Sequence, residues 1–255
     1  MHHRVDVDDL DGALDRAVAL LRTAERVAVL TGAGVSAESG VATFRGAGGL
    51  WEGHGIEDVA CPSAFRRDPT LVWRFYNARR TGLRKIQPNA AHYALVTLED
   101  RLGSDHFALI TQNVDGLHRA AGSRHVLEVH GSLARVRCTG CRLVEERQGE
   151  DLEDLPRCRQ CDALLRPHVV WFNEMLPEDL WEEAVMAAQQ CQGFLVVGTS
   201  AVVYPAAGLV DVARASRARV IEINLRATEV THKVDVALHG PSGEILPQLL
   251  ERLPK

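Results

Sequence analysis

Four short apolar runs constrain this chain more than any other feature: residues 27–30 (VAVL), 107–110 (FALI), 194–197 (FLVV) and 220–223 (VIEI). Each is too brief for an amphipathic helix, and each gives way at once to small or polar residues, at Thr31 and Gly32, Gln112, Gly198 and Asn224. Near-continuous apolar strands are buried on both faces, which is the habit of a parallel sheet. Helical patterns separate them. Leu10, Leu14, Ala17, Val18 and Leu21 recur at helical spacing, as do the apolar positions of PEDLWEEAVMAAQQC and YPAAGLVDVARAS. The expected class is α/β, a Rossmann-like parallel sheet with helices on both faces. Ligands of such sheets bind beyond the carboxyl ends of the strands, so the residues ending the four runs mark the expected site.

Two stretches break the alternation. Residues 45–88 read as loop followed by helix, and residues 133–168 contain two close cysteine pairs. We expect a discontinuous Rossmann-like domain over 10–44, 89–132 and 169–250, with 45–88 as a helical insert and 133–168 as a zinc-ribbon insert. The two inserts together would form a smaller lobe over the sheet edge.

The cysteines are the sharpest local signal. Cys138, Cys141, Cys158 and Cys161 follow C-x2-C-x16-C-x2-C, the spacing of two knuckles presenting thiolates to one zinc ion. Four thiolates close a tetrahedral shell, so the metal would be structural. Close pairs with two isolated cysteines left over, Cys61 and Cys191, suit a reducing compartment. The acidic N-terminus, MHHRVDVDDLDG, lacks a signal-peptide core, and no apolar run approaches the ~20 residues needed to span a bilayer. A cytoplasmic location without a membrane partner is expected. A net charge of −5 argues against a nucleic-acid partner, whose footprint would be basic.

The first run opens into GAGVSAESGVATFRG. Gly32 and Gly34 would let the backbone turn tightly and approach a pyrophosphate, although Ala37 stands where a third glycine of G-x-G-x-x-G belongs. A glycine turn needed only for packing is the alternative. Arg45, shortly after the expected helix start, suits a phosphate, with a solvated surface charge as the alternative. Gln112, Asn113 and Asp115 in TQNVDG suit ribose hydroxyls or an amide, and equally a turn. His130, in EVHGSL, lies at an expected strand end where the two lobes meet, which makes it the candidate base among eleven histidines.

Taken together, these motifs with RPHVVWFNE, VVGTSAVVYPAA and EINL resemble the sirtuins, the NAD-dependent protein lysine deacylases, in family order over about residues 25–245. The resemblance implies NAD as consumed co-substrate, one structural zinc ion, and acyl-lysine proteins or peptides as partners. It leaves the oligomeric state open, with a monomer expected. It implies that Gly32, Ala33, Gly34, Ser36, Ala37 and Glu38 bind the pyrophosphate and shape the nicotinamide pocket, with Thr43, Phe44, Arg45 and Trp51. Gln112 would approach the nicotinamide ribose, and Asn113 and Asp115 the nicotinamide pocket. Gly198, Thr199 and Ser200 would line the dinucleotide, Asn224 the adenosine ribose and Ser242 the adenine end. His130 would be the general base, with Asn113 also catalytic, and the products would be lysine, nicotinamide and O-acyl-ADP-ribose. Val169, Val170 and Phe172 would line the acyl-lysine tunnel. Asn173 departs from the family, where glycine is common at that place.

The acyl group has its own signature. Tyr76 and Arg79 are three apart, hence on one helix face. In sirtuins a Tyr-x-x-Arg here resembles the class that removes succinyl and malonyl groups, the phenol and guanidinium binding the distal carboxylate. Ala60 matches a small residue that widens the acyl pocket of that class, and acetyl-lysine would also be accepted. The residues alone, without the resemblance, favour Arg79 as one more surface arginine beside Arg74, Arg80 and Arg84. Three rival functions stay open: a nicotinamide dehydrogenase, a zinc-ribbon binding module, and protein mono-ADP-ribosylation. The first would be expected to carry an acidic residue about 20 positions past the glycines, after a second strand, where this chain has loop-like GGLWEGHGIED.

Overall fold

The structure, a computed structural model, describes residues 10–42 and 53–254. Six parallel strands form the main sheet: β1 (Val27–Thr31), β2 (Phe107–Thr111), β3 (Val126–Glu128), β7 (Gly193–Val197), β8 (Arg219–Asn224) and β9 (Val236–His239). Their order is β3-β2-β1-β7-β8-β9. The chain winds outward from β1 in one direction, then restarts beside β1 with β7 and winds in the other. The four apolar runs are the four central strands; the short outer strands β3 and β9 carry no comparable run.

Alternate side chains of each strand enter opposite cores. Val27, Val29, Leu195 and Val197 pack against α1 (Leu10–Leu21), α6 (Ala90–Leu102) and α10 (Ser242–Arg252). Ala28, Leu30, Phe194 and Val196 pack against α8 (Glu178–Gln190) and α9 (Leu209–Ala215). The helical pattern in YPAAGLVDVARAS begins later than its periodicity suggests. A cis bond joins Tyr204 to Pro205, one 3-10 turn follows at Ala206–Gly208, and α9 starts at Leu209.

The reversal of strand order sits between β1 and β7, and glycines fill it. The short helix α2 (Ala33–Ala37) follows β1. The Gly34 N–H donates to the Gly198 carbonyl at 2.7 Å. A Cβ on Gly34 would lie 2.6 Å from that carbonyl oxygen, and one on Gly198, whose φ is +58°, would lie 2.3 Å from the Val35 nitrogen. Gly198 needs glycine both for backbone conformation and for space, and Gly34 needs it for space alone.

A third core belongs to the segments that break the alternation. Helices α3 (Ile56–Val59), α4 (Pro62–Arg67) and α5 (Pro69–Leu83) pack on an antiparallel sheet of β4 (Gly131–Cys138), β5 (Val144–Glu146) and β6 (Leu165–Val169), ordered β5-β4-β6. Val59, Trp73, Phe75 and Tyr76 meet Leu133, Val136, Leu165 and Trp171 there. Helix α7 (Leu117–Ala121) completes the described helices. Among the described residues no helix is long and apolar enough to cross a membrane.

The arginines of α5 are not one solvated face. Arg80 is 8% exposed, and its guanidinium donates to the carbonyls of Leu133 and Arg147, and to that of Glu150 at 3.4 Å. Arg74 pairs with Asp154 and Arg84 with Asp151, both at 2.7 Å, while the Trp73 indole donates to the Leu165 carbonyl at 2.9 Å. These contacts bind α5 to the cysteine-bearing segment. Replacing Arg80→Met leaves those carbonyls short of a donor and should cost about 2–4 kcal/mol. Thermal unfolding with hydrogen exchange over residues 144–152 reads this, and unchanged protection there would contradict the role. Arg74→Ala, at an exposed pair, should change little.

Candidate active site

The carboxyl ends of β1, β2, β7 and β8 are joined by side chains as well as by strand pairing. Gln112 Nε2 donates to Thr199 Oγ1 at 3.0 Å, and Asn224 Nδ2 to the Thr199 carbonyl at 2.8 Å. Across the crevice, Asn113 Nδ2 donates to the Gly32 carbonyl at 3.0 Å and to Ser36 Oγ at 3.2 Å. The residues ending the four apolar runs therefore meet at one edge, with the narrow glycine seam at its centre. At the far end of α2, Glu38 Oε1 accepts from Ser242 Oγ at 3.1 Å and from the Gly243 N–H at 2.9 Å, tying α2 to the start of α10.

Behind Ser36 and Asn113 lies a buried polar network. The α6 helix begins with a capping box: Asn89 Oδ1 accepts from the Ala91 N–H, and His92 Nδ1 from the Asn89 N–H. That box leaves His92 Nε2 3.4 Å from Ser36 Oγ. His118 Nε2 lies 3.0 Å from Thr31 Oγ1, which donates to Thr111 Oγ1 at 2.8 Å; Thr111 Oγ1 also accepts the Asn113 N–H at 3.1 Å. Because the Thr31 proton goes to Thr111, His118 is the donor to Thr31 through Nε2. The two rings lie 4.8 Å apart. Burial pushes His92 down to about 4 and His118 to about 3, the neighbouring ring adding to the latter, so both are neutral near pH 7.

Asp115 brings a carboxylate to this edge. Burial raises its pKa, against the Leu117 N–H that its Oδ1 accepts at 2.9 Å, the Ser36 hydroxyl and the Arg79 charge, all of which favour the carboxylate.

His130 occupies the two-residue link between β3 and β4, where the large sheet hands over to the small one. Its Nδ1 is 3.0 Å from the Gln112 carbonyl. A carbonyl only accepts, so Nδ1 carries the proton and Nε2 of the neutral ring keeps its lone pair. Burial pushes His130 below the ordinary imidazole value, opposed by that carbonyl. Gly131 follows with φ +81°, and a Cβ there would stand 2.1 Å from the His168 carbonyl oxygen. The backbone continues the join: the Val170 N–H donates to the His130 carbonyl and the Phe172 N–H to the Ala60 carbonyl, both at 2.9 Å. Val169, Val170, Phe172, Ala60 and His130 are thus brought to one seam. Tyr76 reaches the same loop, accepting from the Trp171 indole at 2.9 Å.

The four cysteines close on one another, with all sulfurs within 4.8 Å; Cys138 and Cys161 are 3.4 Å apart, Cys141 and Cys158 3.7 Å. A tetrahedral zinc ion with Zn–S of ~2.3 Å needs sulfurs about 3.8 Å apart. The N–H groups of Gly140 and Cys141 point at Cys138 Sγ, and that of Gln160 at Cys158 Sγ, which suits sulfurs carrying negative charge. The quartet fits a closed, structural zinc site.

Residues 32–205 match the Sir2 family. The chain belongs to the Sir2 family. It is 49% identical over 234 residues to a protein of Pyrobaculum aerophilum named NAD-dependent protein deacylase 2, covering 92% of this chain and 93% of that one. The solved Sir2 homologue–NAD complex has a TM-score of 0.87 at 42% identity, over 98% of this chain and 95% of its own. A Sir2 variant with a deacetylated p53 peptide and 3'-O-acetyl ADP-ribose has a TM-score of 0.84 at 30% identity, over 93% and 97%.

The Sir2 motif residues divide by place. Gly32, Ala33, Gly34, Ser36, Gln112, Asn113, Gly198, Thr199 and Asn224 gather at the sheet edge, with Ala37 closing α2 and Ser200 just past Thr199. Glu38 and Ser242 meet at the far end of α2. Thr43, Phe44, Arg45 and Trp51 lie outside the described residues. Asn173 takes φ +67°, the left-handed backbone that asparagine tolerates better than other side chains do, so the turn survives without glycine. The sequence motifs do not single out His92, His118 or Glu128. The Asn89-x-x-His92 spacing was a usable capping signal. Nothing local marks Glu128, which is buried and ion-paired with Arg119 at 3.3 Å and Arg135 at 2.6 Å, joining α7 to β4 beside His130.

Cys138→Ser should remove zinc from the Sir2 small lobe and lower its melting temperature. A full zinc complement by metal analysis would contradict the four-thiolate site.

Proposed function

We propose that this protein removes acyl groups from lysine side chains of proteins or peptides, consuming NAD. The reading rests on one conjunction: a glycine-built crevice at the reversal of a parallel sheet, with a neutral, oriented histidine at its rim, in a Sir2 chain whose relatives are named NAD-dependent protein deacylases. The glycine seam lets backbone come close to a dinucleotide, since side chains at Gly34 and Gly198 would already collide with backbone. Gly32, Ala33, Gly34, Ser36, Ala37 and Glu38 would hold its pyrophosphate side with Gly198, Thr199 and Ser200, while Asn224 and Ser242 would serve the adenosine end. NAD supplies an anomeric carbon that becomes electrophilic as nicotinamide departs.

The chain's own residues then have definite tasks. Asn113, fixed by Gly32 and Ser36, and Asp115 present polar groups in a site shielded from water, where charge developing on the ribose is stabilised more strongly than in solvent. Gln112, at the end of β2, would take the ribose hydroxyls. His130 Nε2 accepts a proton from a ribose hydroxyl while Nδ1 stays on the Gln112 carbonyl, so the ring keeps its orientation in both charge states. Cys138, Cys141, Cys158 and Cys161 would hold a zinc ion in a closed shell of thiolates, so the metal would fasten the lobe and offer no position to substrate.

The acyl group on this reading is acidic, succinyl or malonyl, with acetyl also taken. Tyr76 and Arg79 share one face of α5, and Arg79 lies near enough to Tyr76 and Asp115 to favour ionisation of both. Arg74, Arg80 and Arg84 are engaged with the 133–154 segment. Ala60, buried and bonded to Phe172, keeps that end of the tunnel small-walled.

His130→Ala should lower turnover by roughly a hundredfold or more. Because its folded pKa is lowered, wild-type kcat should be level above pH 7 and fall only below the ordinary imidazole value near pH 6.5, as the ring gains a proton. Mass spectrometry of NAD reactions with acylated peptides measures both; undiminished turnover would remove His130 as the base. Arg79→Met should reduce kcat/KM for succinyl-lysine roughly tenfold to a hundredfold more than for acetyl-lysine. Equal losses would mean that Arg79 does not read the carboxylate.

A further inference from the structure

The loop joining β6 to α8 is built around one carboxylate. Glu174 Oε1 accepts from Arg166 Nη1 at 2.6 Å and Arg137 Nη2 at 3.3 Å. Its Oε2 accepts from Arg166 Nη2 and from the Trp171 N–H, both at 2.9 Å. Arg166 also donates to the Val169 carbonyl at 3.0 Å, and its guanidinium carbon stands 3.3 Å from the centre of a Trp171 ring. Phe65 packs on the indole at 5.4 Å between ring centres. Trp171, 3% exposed, is thereby fixed at its backbone, on its face and against a neighbouring ring.

What this fixed indole touches is the Tyr76 phenol, 1% exposed, at 2.9 Å from Nε1 to Oη. An indole nitrogen is a donor only, whereas a phenol has one proton and acceptor lone pairs. The direction of this bond therefore follows from composition: Tyr76 accepts, and its proton is left for another acceptor. Among the described residues, Trp171 is the phenol's hydrogen-bond partner. Burial also pushes Tyr76 up to about 12, so the proton is present at any working pH.

We infer that Trp171 is a positioning residue for acyl specificity: by occupying the acceptor side of the Tyr76 hydroxyl, it commits the phenol proton to the carboxylate at the end of an acidic acyl-lysine. Arg166 and Glu174 serve the same end by holding the indole still. The inference rests on the acidic-acyl reading above. Without the indole, the phenol hydroxyl could turn and offer a lone pair instead, which a carboxylate would repel. An acetyl group has no carboxylate to receive the proton, so it should feel the change far less.

The test is a cycle of Trp171→Phe, Tyr76→Phe and the double variant, with kcat and KM measured on one peptide carrying acetyl- or succinyl-lysine. Trp171→Phe should lower the succinyl-to-acetyl ratio of kcat/KM by roughly threefold to tenfold, chiefly through KM for the succinyl peptide. In the Tyr76→Phe background the same substitution should leave that ratio within about twofold, because no hydroxyl remains to orient. Loss of packing alone would persist in both backgrounds, and that result would overturn the inference. If Tyr76→Phe lowers both substrates equally, the acidic-acyl reading itself fails. Should Trp171→Phe not fold, the Trp171 indole N–H resonance of the 15N-labelled protein decides: it must shift on Tyr76→Phe, and a fixed resonance would overturn the bond.

Discussion

The narrow contact between the β1–α2 turn and Gly198 is the constraint on which the rest depends. At that contact two backbone segments approach with no space for a Cβ on Gly34 or Gly198. The sheet reverses its winding at this place, so loops from both halves diverge and leave a crevice at the strand ends. The seam itself is sealed by the Gly34–Gly198 hydrogen bond. Thr199, the next residue, carries the order outward to Gln112 on one side and Asn224 on the other. A bulkier seam would separate β1 from β7 and spread the polar groups that now meet.

Charge is handled differently on the two sides of the seam. On the strand side the buried groups are mostly uncharged: the imidazoles of His92 and His118 are held neutral by burial, and their hydrogen bonds run through hydroxyls to Asn113. Neutral networks of this kind fix a side chain without adding a field that would oppose positive charge developing nearby. On the lobe side the groups are charged and paired. Glu174 takes Arg166 and Arg137, Glu145 takes Arg147 and Arg159, and Glu128, at the end of β3 where the main sheet meets the lobe, takes Arg119 and Arg135. Each of these buried or half-buried carboxylates gathers two guanidinium groups.

The small lobe consequently has two fasteners of different kinds. The cysteine quartet closes the tip of the antiparallel sheet, and the α5 arginines bind that sheet's segment to the helical insert. Between the two fasteners and the main sheet runs the 169–174 loop, bonded to His130 and Ala60 through its backbone and to Tyr76 through its indole. Proposed base, acyl tunnel and acyl pocket are therefore mechanically one loop's surroundings, so a change in Trp171 or Glu174 is expected to act on specificity without touching the reacting carbon.

The sequence by itself determined the α/β class, the four central strands, the metal quartet and the residues at the strand ends. Each of these is a local matter: continuous apolar runs have only a doubly covered sheet to enter, and two C-x2-C knuckles need only short chain to present their thiolates. The short outer strands β3 and β9 were not legible, because three or four residues carry too little pattern. Only the tertiary structure decided which arginine of α5 faces the Tyr76 side and which bind the cysteine segment. Positions 79 and 80 look alike in sequence, and their difference is one of rotation about the helix axis against partners more than fifty residues away. It also decided the role of Trp171, since the direction of its hydrogen bond follows from chemistry but the partner, 95 residues distant, follows from the fold. Where a side chain's meaning depends on what long-range packing puts opposite it, the chain's local pattern holds no trace of it.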